Sequence, residues 1–155
     1  MFVSDGLGVN ESGHLTVSGC DTVSLAKKYG TPYMCYDENM IRKNCREFVK
    51  SMEENYDGNG LVCYASKAFS CLEMCRICKE EKMGLDVVSG GEIFTAVKAG
   101  FPSERICFHG NNKTNDELTM ALDNNVGRIV VDNVEELKRL STLASKTGKV
   151  AKIML

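Results

Sequence analysis

From Gly60 onward, hydrophobic and polar positions follow a repeating beat. Apolar runs recur at Leu61-Val62-Cys63-Tyr64-Ala65, Leu85-Asp86-Val87-Val88, Ile106-Cys107-Phe108 and Arg128-Ile129-Val130-Val131, and another begins at Val150-Ala151-Lys152-Ile153-Met154-Leu155. Runs this short predict strands, and the stretches between them carry helical spacing. Capping-box spacing marks helix starts at Ser89 with Glu92, Thr114 with Glu117, and Asp132 with Glu135. Gly84, Gly100 with Pro102, Asn125 with Gly127, and Gly148 mark expected stops. Strands and helices alternating over short joints predict parallel strands with right-handed crossovers.

Before Gly60 the pattern differs. Leu15-Thr16-Val17 reads as a short strand after the turn Asn10-Glu11-Ser12-Gly13, and Asp21 to Tyr29 as a helix stopping at Gly30. Tyr33 to Tyr36 reads as a second short strand, and Asp37 caps a helix reaching about Tyr56. The turn Asp57-Gly58-Asn59-Gly60 follows. Residues 1–59 thus form an N-terminal appendage, and residues 60–155 a β/α region that stops inside its fifth strand. Four β-α units and a fifth strand do not close an eight-stranded barrel. The expectation is a fragment of a barrel, an open sheet, or the product of a truncated gene. An unclosed barrel would expose strand edges and apolar interior surface, which favours association.

The polar residues gather at one end of the pattern. Lys67, Asp86 with Ser89, His109 and Asp132 each lie at or just past the C-terminal end of a strand. Both β/α barrels and doubly wound sheets build their chemistry there, so this placement does not separate the two. Lys67 is the most informative. Leu61, Cys63, Ala65 and Lys67 share one face of the first strand, and a helix is expected straight after the lysine. Small residues before it leave room for a ligand. Burial in an apolar mouth disfavours the ammonium and makes the amine a nucleophile, fit to form a Schiff base with a carbonyl cofactor, above all pyridoxal phosphate. The plainer reading is a surface lysine at a strand end.

The bulk properties narrow the classes. The chain's 155 residues suffice for a real core, and its net charge of −2 with no basic block argues against nucleic acid or anionic membrane as partners. No apolar run approaches a membrane span. The start Met1-Phe2-Val3-Ser4-Asp5-Gly6 lacks the basic and apolar regions of a secretory signal. The eight cysteines are therefore expected as reduced thiols in a cytoplasmic protein. Cys71, Cys75 and Cys78 match the cysteine spacing of an iron–sulfur site in radical enzymes, but the same spacing is one face of a helix. Core packing is the favoured reading, with no metal site.

Several motifs in order carry a resemblance. Tyr29-Gly30-Thr31-Pro32-Tyr33, Tyr64-Ala65-Ser66-Lys67-Ala68, Gly84-Leu85-Asp86-Val87-Val88-Ser89-Gly90-Gly91-Glu92, Ala99-Gly100-Phe101-Pro102 and His109-Gly110-Asn111-Asn112-Lys113 resemble the N-terminal part of the diaminopimelate decarboxylases. The resemblance covers nearly the whole chain. It implies the N-terminal part of an alanine-racemase-like (β/α)8 barrel, followed by a β-domain absent here. It also implies pyridoxal 5'-phosphate on Lys67, with Asp86 and His109 on the cofactor side. The implied reaction is decarboxylation of meso-2,6-diaminopimelate to L-lysine by a homodimer with shared active sites. Ornithine- and arginine-type decarboxylases are the rivals on substrate. The implied glycine-rich phosphate loop lies later in such chains, so Ser89-Gly90-Gly91-Glu92 is better explained as a helix cap. With much of that machinery absent, the chain alone is expected not to decarboxylate.

Overall fold

A computed structural model describes residues 4–155. The chain divides into two compact units, one ending at Glu47 and the other spanning Phe48–Leu155.

In the first unit, β1 (Leu7–Val9), β2 (Leu15–Val17) and β3 (Cys20–Asp21) form an antiparallel sheet in chain order. Helix α1 (Thr22–Tyr29) begins on Asp21, whose side chain accepts from the Val23 backbone N–H, and ends at Gly30 with φ 82°. His14 Nδ1 lies 3.1 Å from Asp21 Oδ2, and this contact is the main reason the carboxyl is held down at about 2. The expected strand at Tyr33–Tyr36 does not form. No neighbouring strand edge pairs with it, and the Tyr33 hydroxyl instead donates to the Thr22 carbonyl at 2.9 Å. Asp37 caps α2 (Glu38–Tyr56) by accepting from the Met40 N–H at 3.1 Å.

The second unit is the β/α region. Strands β4 (Cys63–Ala65), β5 (Gly84–Val87), β6 (Ile106–Phe108), β7 (Arg128–Val130) and β8 (Ile153–Met154) form a parallel sheet in sequential order. Between them run α3 (Leu72–Glu80), α4 (Gly90–Lys98), α5 (Asn115–Asp123) and α6 (Val134–Thr147), each packed on the next. A doubly wound sheet reverses its strand order part-way. Sequential order with crossovers of one hand puts every helix on the same face, as in a barrel wall.

Burial follows the period of two. Leu85, Val87, Ile106, Phe108 and Ile129 point to the helix side and are fully buried. They meet Ile77, Ile93, Ala96, Leu118, Ala121 and Leu140, the inner stripes of the helices. Burying a side chain as large as Phe108 contributes roughly 2–3 kcal/mol. Asp86, Cys107 and Val130 alternate with them on the other face and are only half-buried. That face is the barrel interior.

Three local expectations are corrected. Lys67 is not followed at once by an α-helix, because Ser66–Ala68 form a 3₁₀ turn and α3 starts only after Cys71. Gly84 is not a helix stop. Lys82 takes the left-handed position at φ 60°, and Gly84 opens β5, where a Cβ would lie 2.7 Å from Cys63 Sγ and 2.8 Å from the Arg105 carbonyl oxygen. The cap of α6 is Asn133 with Glu136, one residue beyond the expected pair.

Among the described glycines, Gly127 marks the tightest approach to main chain. A Cβ there would lie 2.0 Å from the Glu104 carbonyl oxygen, and the Gly127 N–H donates to the Ser103 carbonyl at 2.8 Å. Backbone cannot swing aside as a side-chain end can. Gly127→Ala is therefore expected to destabilise the second unit by about 3 kcal/mol, read as a lowered urea midpoint with an unchanged slope.

Candidate active site

The site is built from the loops that leave the C-terminal ends of β4, β5, β6 and β7. The register sets Ala65 beside Asp86, Asp86 beside Cys107, and Cys107 beside Arg128, all on the interior face. Lys67 stands two residues past Ala65, lifted off the strand by the 3₁₀ turn, and is exposed. His109 follows Phe108 directly and is also exposed, with its backbone N–H given to the Val87 carbonyl at 2.8 Å. Asp86 is half-buried one level below this rim. Among the described residues, no hydrogen bond or ion pair engages the side chains of Lys67, Asp86 or His109.

Electrostatics on the interior face are set by burial and by Asp86. Burial first, then Cys107 and Asp86, push the Cys63 thiol up to about 11. Cys107 is raised by burial and by Asp86, while Arg128 pulls it back. Both thiols are thus kept neutral around a carboxylate. Arg128 Nη1 donates to the Gly127 carbonyl at 2.8 Å.

The rim loops are tied by carboxylates that reach backward in sequence. Glu92 Oε2 accepts from the Val88 N–H at 2.7 Å and from the Ser66 hydroxyl at 2.8 Å. Ser66 is buried and directly precedes Lys67, so this bond fixes the turn that carries the lysine. Glu117 completes a capping box with Thr114 and also accepts from the Gly90 N–H at 2.9 Å. The start of α4 is therefore filled by the protein's own carboxylate, which accounts for Ser89-Gly90-Gly91-Glu92 without phosphate. A Cβ on Gly90 would lie 3.0 Å from Glu117 Cγ.

The cysteine triplet packs as a helix face. Cys75 and Cys78 are 2% and 0% exposed on the inner side of α3, while Cys71 Sγ caps the helix, accepting from the Met74 N–H at 3.4 Å. Among the described residues, no group of three or more His, Cys, Asp or Glu side chains is arranged to hold a metal ion.

Residues 38–155 match the family described as pyridoxal-dependent decarboxylase, pyridoxal binding domain. The chain belongs to this family. The diaminopimelate decarboxylase of Bacillus subtilis is 48% identical over 158 residues, covering 100% of this chain and 35% of that protein. A crystal structure of diaminopimelate decarboxylase from M. jannaschii, in co-complex with L-lysine, superposes with TM-score 0.87 at 32% identity, over 99% of this chain and 36% of that one. The lysine/ornithine decarboxylase of Vibrio vulnificus, complexed with putrescine, shares the fold at TM-score 0.72 and 19% identity, over 86% of this chain and 34% of that one. The chain thus spans about a third of the length of the relatives it matches.

The pyridoxal-binding domain fits its cofactor by its own chemistry. It offers, at a strand end, an amine with no hydrogen-bond or ion-pair partner among the described residues, above an interior face on which Cys63, Ala65 and Gly84 carry small side chains or none. What the sequence does not reveal is the pairing that holds this rim together. Ser66 with Glu92, and Lys113 with Glu136, join neighbouring β-α repeats of the second unit, and nothing local in the sequence pairs them. One signal was present: Glu136 lies four residues before the buried Leu140, on the apolar stripe of α6, whereas Glu135 faces solvent beside Lys138.

Glu117 provides a pH test. The N–H groups of Thr114 and then Gly90 hold its carboxyl below the usual range. A carboxyl lowered on folding stabilises above its unfolded value, and that contribution is lost as pH falls through the folded one. Glu117→Gln is expected to cost about 1–2 kcal/mol at pH 7, with the gap to the parent chain closing below about pH 4. Urea titrations across that range measure it.

Proposed function

We propose that the whole protein decarboxylates meso-2,6-diaminopimelate to L-lysine with pyridoxal 5'-phosphate, and that this chain supplies the anchoring lysine, Lys67. The observation that carries the reading is the unpaired amine of Lys67 at the C-terminal end of the first barrel strand, in a chain of the pyridoxal-binding family. In this reading residues 1–59 lead into the barrel, residues 60–155 form its first half, and a β-domain completes the enzyme. The protein acts in the cytoplasm as a homodimer with shared active sites. Among the described residues, no helix is long and apolar enough to cross a membrane.

Pyridoxal phosphate, when bound, supplies an electron sink for the pair released as the carbon–carboxylate bond breaks. Lys67 would hold its carbonyl carbon through the amine, with the Ser66–Glu92 bond fixing the turn beneath it. Asp86, on the interior face, would favour cationic groups near the anchor. His109, at the end of β6 two strands from the anchor, would line the cofactor side.

Two features support diaminopimelate over the ornithine- and arginine-type substrates. The relative at 48% identity is named for it, and the structural neighbour at 32% identity holds the product-type amino acid L-lysine.

Borohydride reduction of the protein with pyridoxal phosphate, followed by peptide mapping, is expected to label Lys67, and Lys67→Ala to remove the label. A label elsewhere, or none, would end this reading. Carbon dioxide release by the full-length enzyme is expected from meso-diaminopimelate, with ornithine and arginine turned over at least about a hundredfold more slowly. Equal turnover of ornithine would reassign the substrate.

A further inference from the structure

Lys113 and Glu136 form an ion pair inside the second unit, with Nζ and Oε1 2.8 Å apart and side chains 1% and 0% exposed. Lysine is almost never buried so fully unless its charge is used. Lys113 Nζ also donates to the Gly110 carbonyl at 2.5 Å and lies 5.6 Å from the centre of the Phe108 ring. The Lys113 carbonyl accepts from Arg139 Nη1 at 3.1 Å. Glu136 Oε1 accepts from the Asp132 N–H at 3.4 Å, while its Oε2 is buried without a hydrogen-bond partner among the described residues. The pair therefore clamps two rim loops together: the one after β6, which carries His109, Asn111 and Asn112, and the one after β7.

Such a pair is a poor source of stability. Apolar residues of similar volume often do as well or better, because both charges lose their water. The half-satisfied Glu136 adds to that cost. What apolar residues cannot supply is the directed bond from Lys113 to the carbonyl of Gly110. Gly110 itself has φ 128°, a backbone conformation that L side chains rarely adopt. We infer that Lys113 and Glu136 are positioning residues that set the His109–Asn112 loop, and with it the place of His109 beside a cofactor held on Lys67. The cofactor half of this inference rests on the function proposed above; the loop half does not.

The test compares the full chain with the double variant Lys113→Met/Glu136→Leu and the single variant Glu136→Gln. Urea unfolding, backbone amide exchange and titration with pyridoxal phosphate are the readouts. The double variant is expected to keep the parent's urea midpoint. Its amides at 110–114 and 131–136 are expected to exchange about tenfold faster or more, with β4 unchanged. Its cofactor dissociation constant is expected to rise about tenfold. Glu136→Gln, which keeps the shape and removes the carboxylate's charge, is expected to quicken exchange in the same two loops. This second variant keeps the test open should the double variant fail to fold. Parent-like loop exchange in both variants, or in Glu136→Gln alone if the double variant fails, overturns the inference. So does faster exchange spread evenly over the whole sheet. If borohydride leaves Lys67 unlabelled in the parent chain, the functional reading falls, and loop exchange still judges the clamp.

Discussion

Carboxylates in the first turns of the helices hold the rim of the sheet in place. Glu92, Glu117 and Glu136 occupy equivalent positions in α4, α5 and α6, each three residues after the cap. Each accepts a backbone N–H at or just before its own cap and a second donor from the preceding β-α repeat: the Ser66 hydroxyl, the Gly90 N–H and the Lys113 ammonium. The physics is general. A helix start has N–H groups without partners and a partial positive charge, and a carboxylate answers both. Sequential strand order does the rest, because it brings the previous loop within reach of the same side chain. Loops that would otherwise move independently are joined one to the next, and Lys67 and His109 both stand on joined loops.

The two faces of the sheet obey different rules. The helix side is a dry layer of Leu85, Val87, Ile106, Phe108 and Ile129. The interior side carries Asp86, Cys107 and Arg128 in one row. This row is more polar than the apolar interior surface expected from an unclosed barrel. One carboxylate and one guanidinium flank a thiol there, and among the described residues the Asp86 side chain has no hydrogen-bond or ion-pair partner.

Much of this fold was legible in the chain because strand and helix periods differ so clearly. The run Ile106-Cys107-Phe108 was read with the bounds it has, and the starts of α1, α2, α4 and α5 follow from Asp21, Asp37, Ser89 and Thr114. The pattern is ambiguous where two residues of the same chemistry compete. Asp132 and Asn133 can each cap a helix with a glutamate three residues on, and only the packing of Glu136 against the core decides between them. Gly84 reads locally as a helix stop, yet its reason lies in strands that are distant in sequence. Tyr33–Tyr36 has the composition of a strand but no partner edge, which composition cannot reveal. The rim position of Lys67 was visible from alternation, whereas its support by Ser66 and Glu92 was not, because that bond spans 26 positions.

Gly127 leaves a last consequence. Where β7 enters the sheet, main chain lies against main chain, with no side chain between the strand and the Glu104 peptide. The lower end of that strand has nothing to exchange for a different shape. In proteins built on this plan, any side chain at that entry would have to displace a peptide, so change there is met by the backbone of two repeats at once.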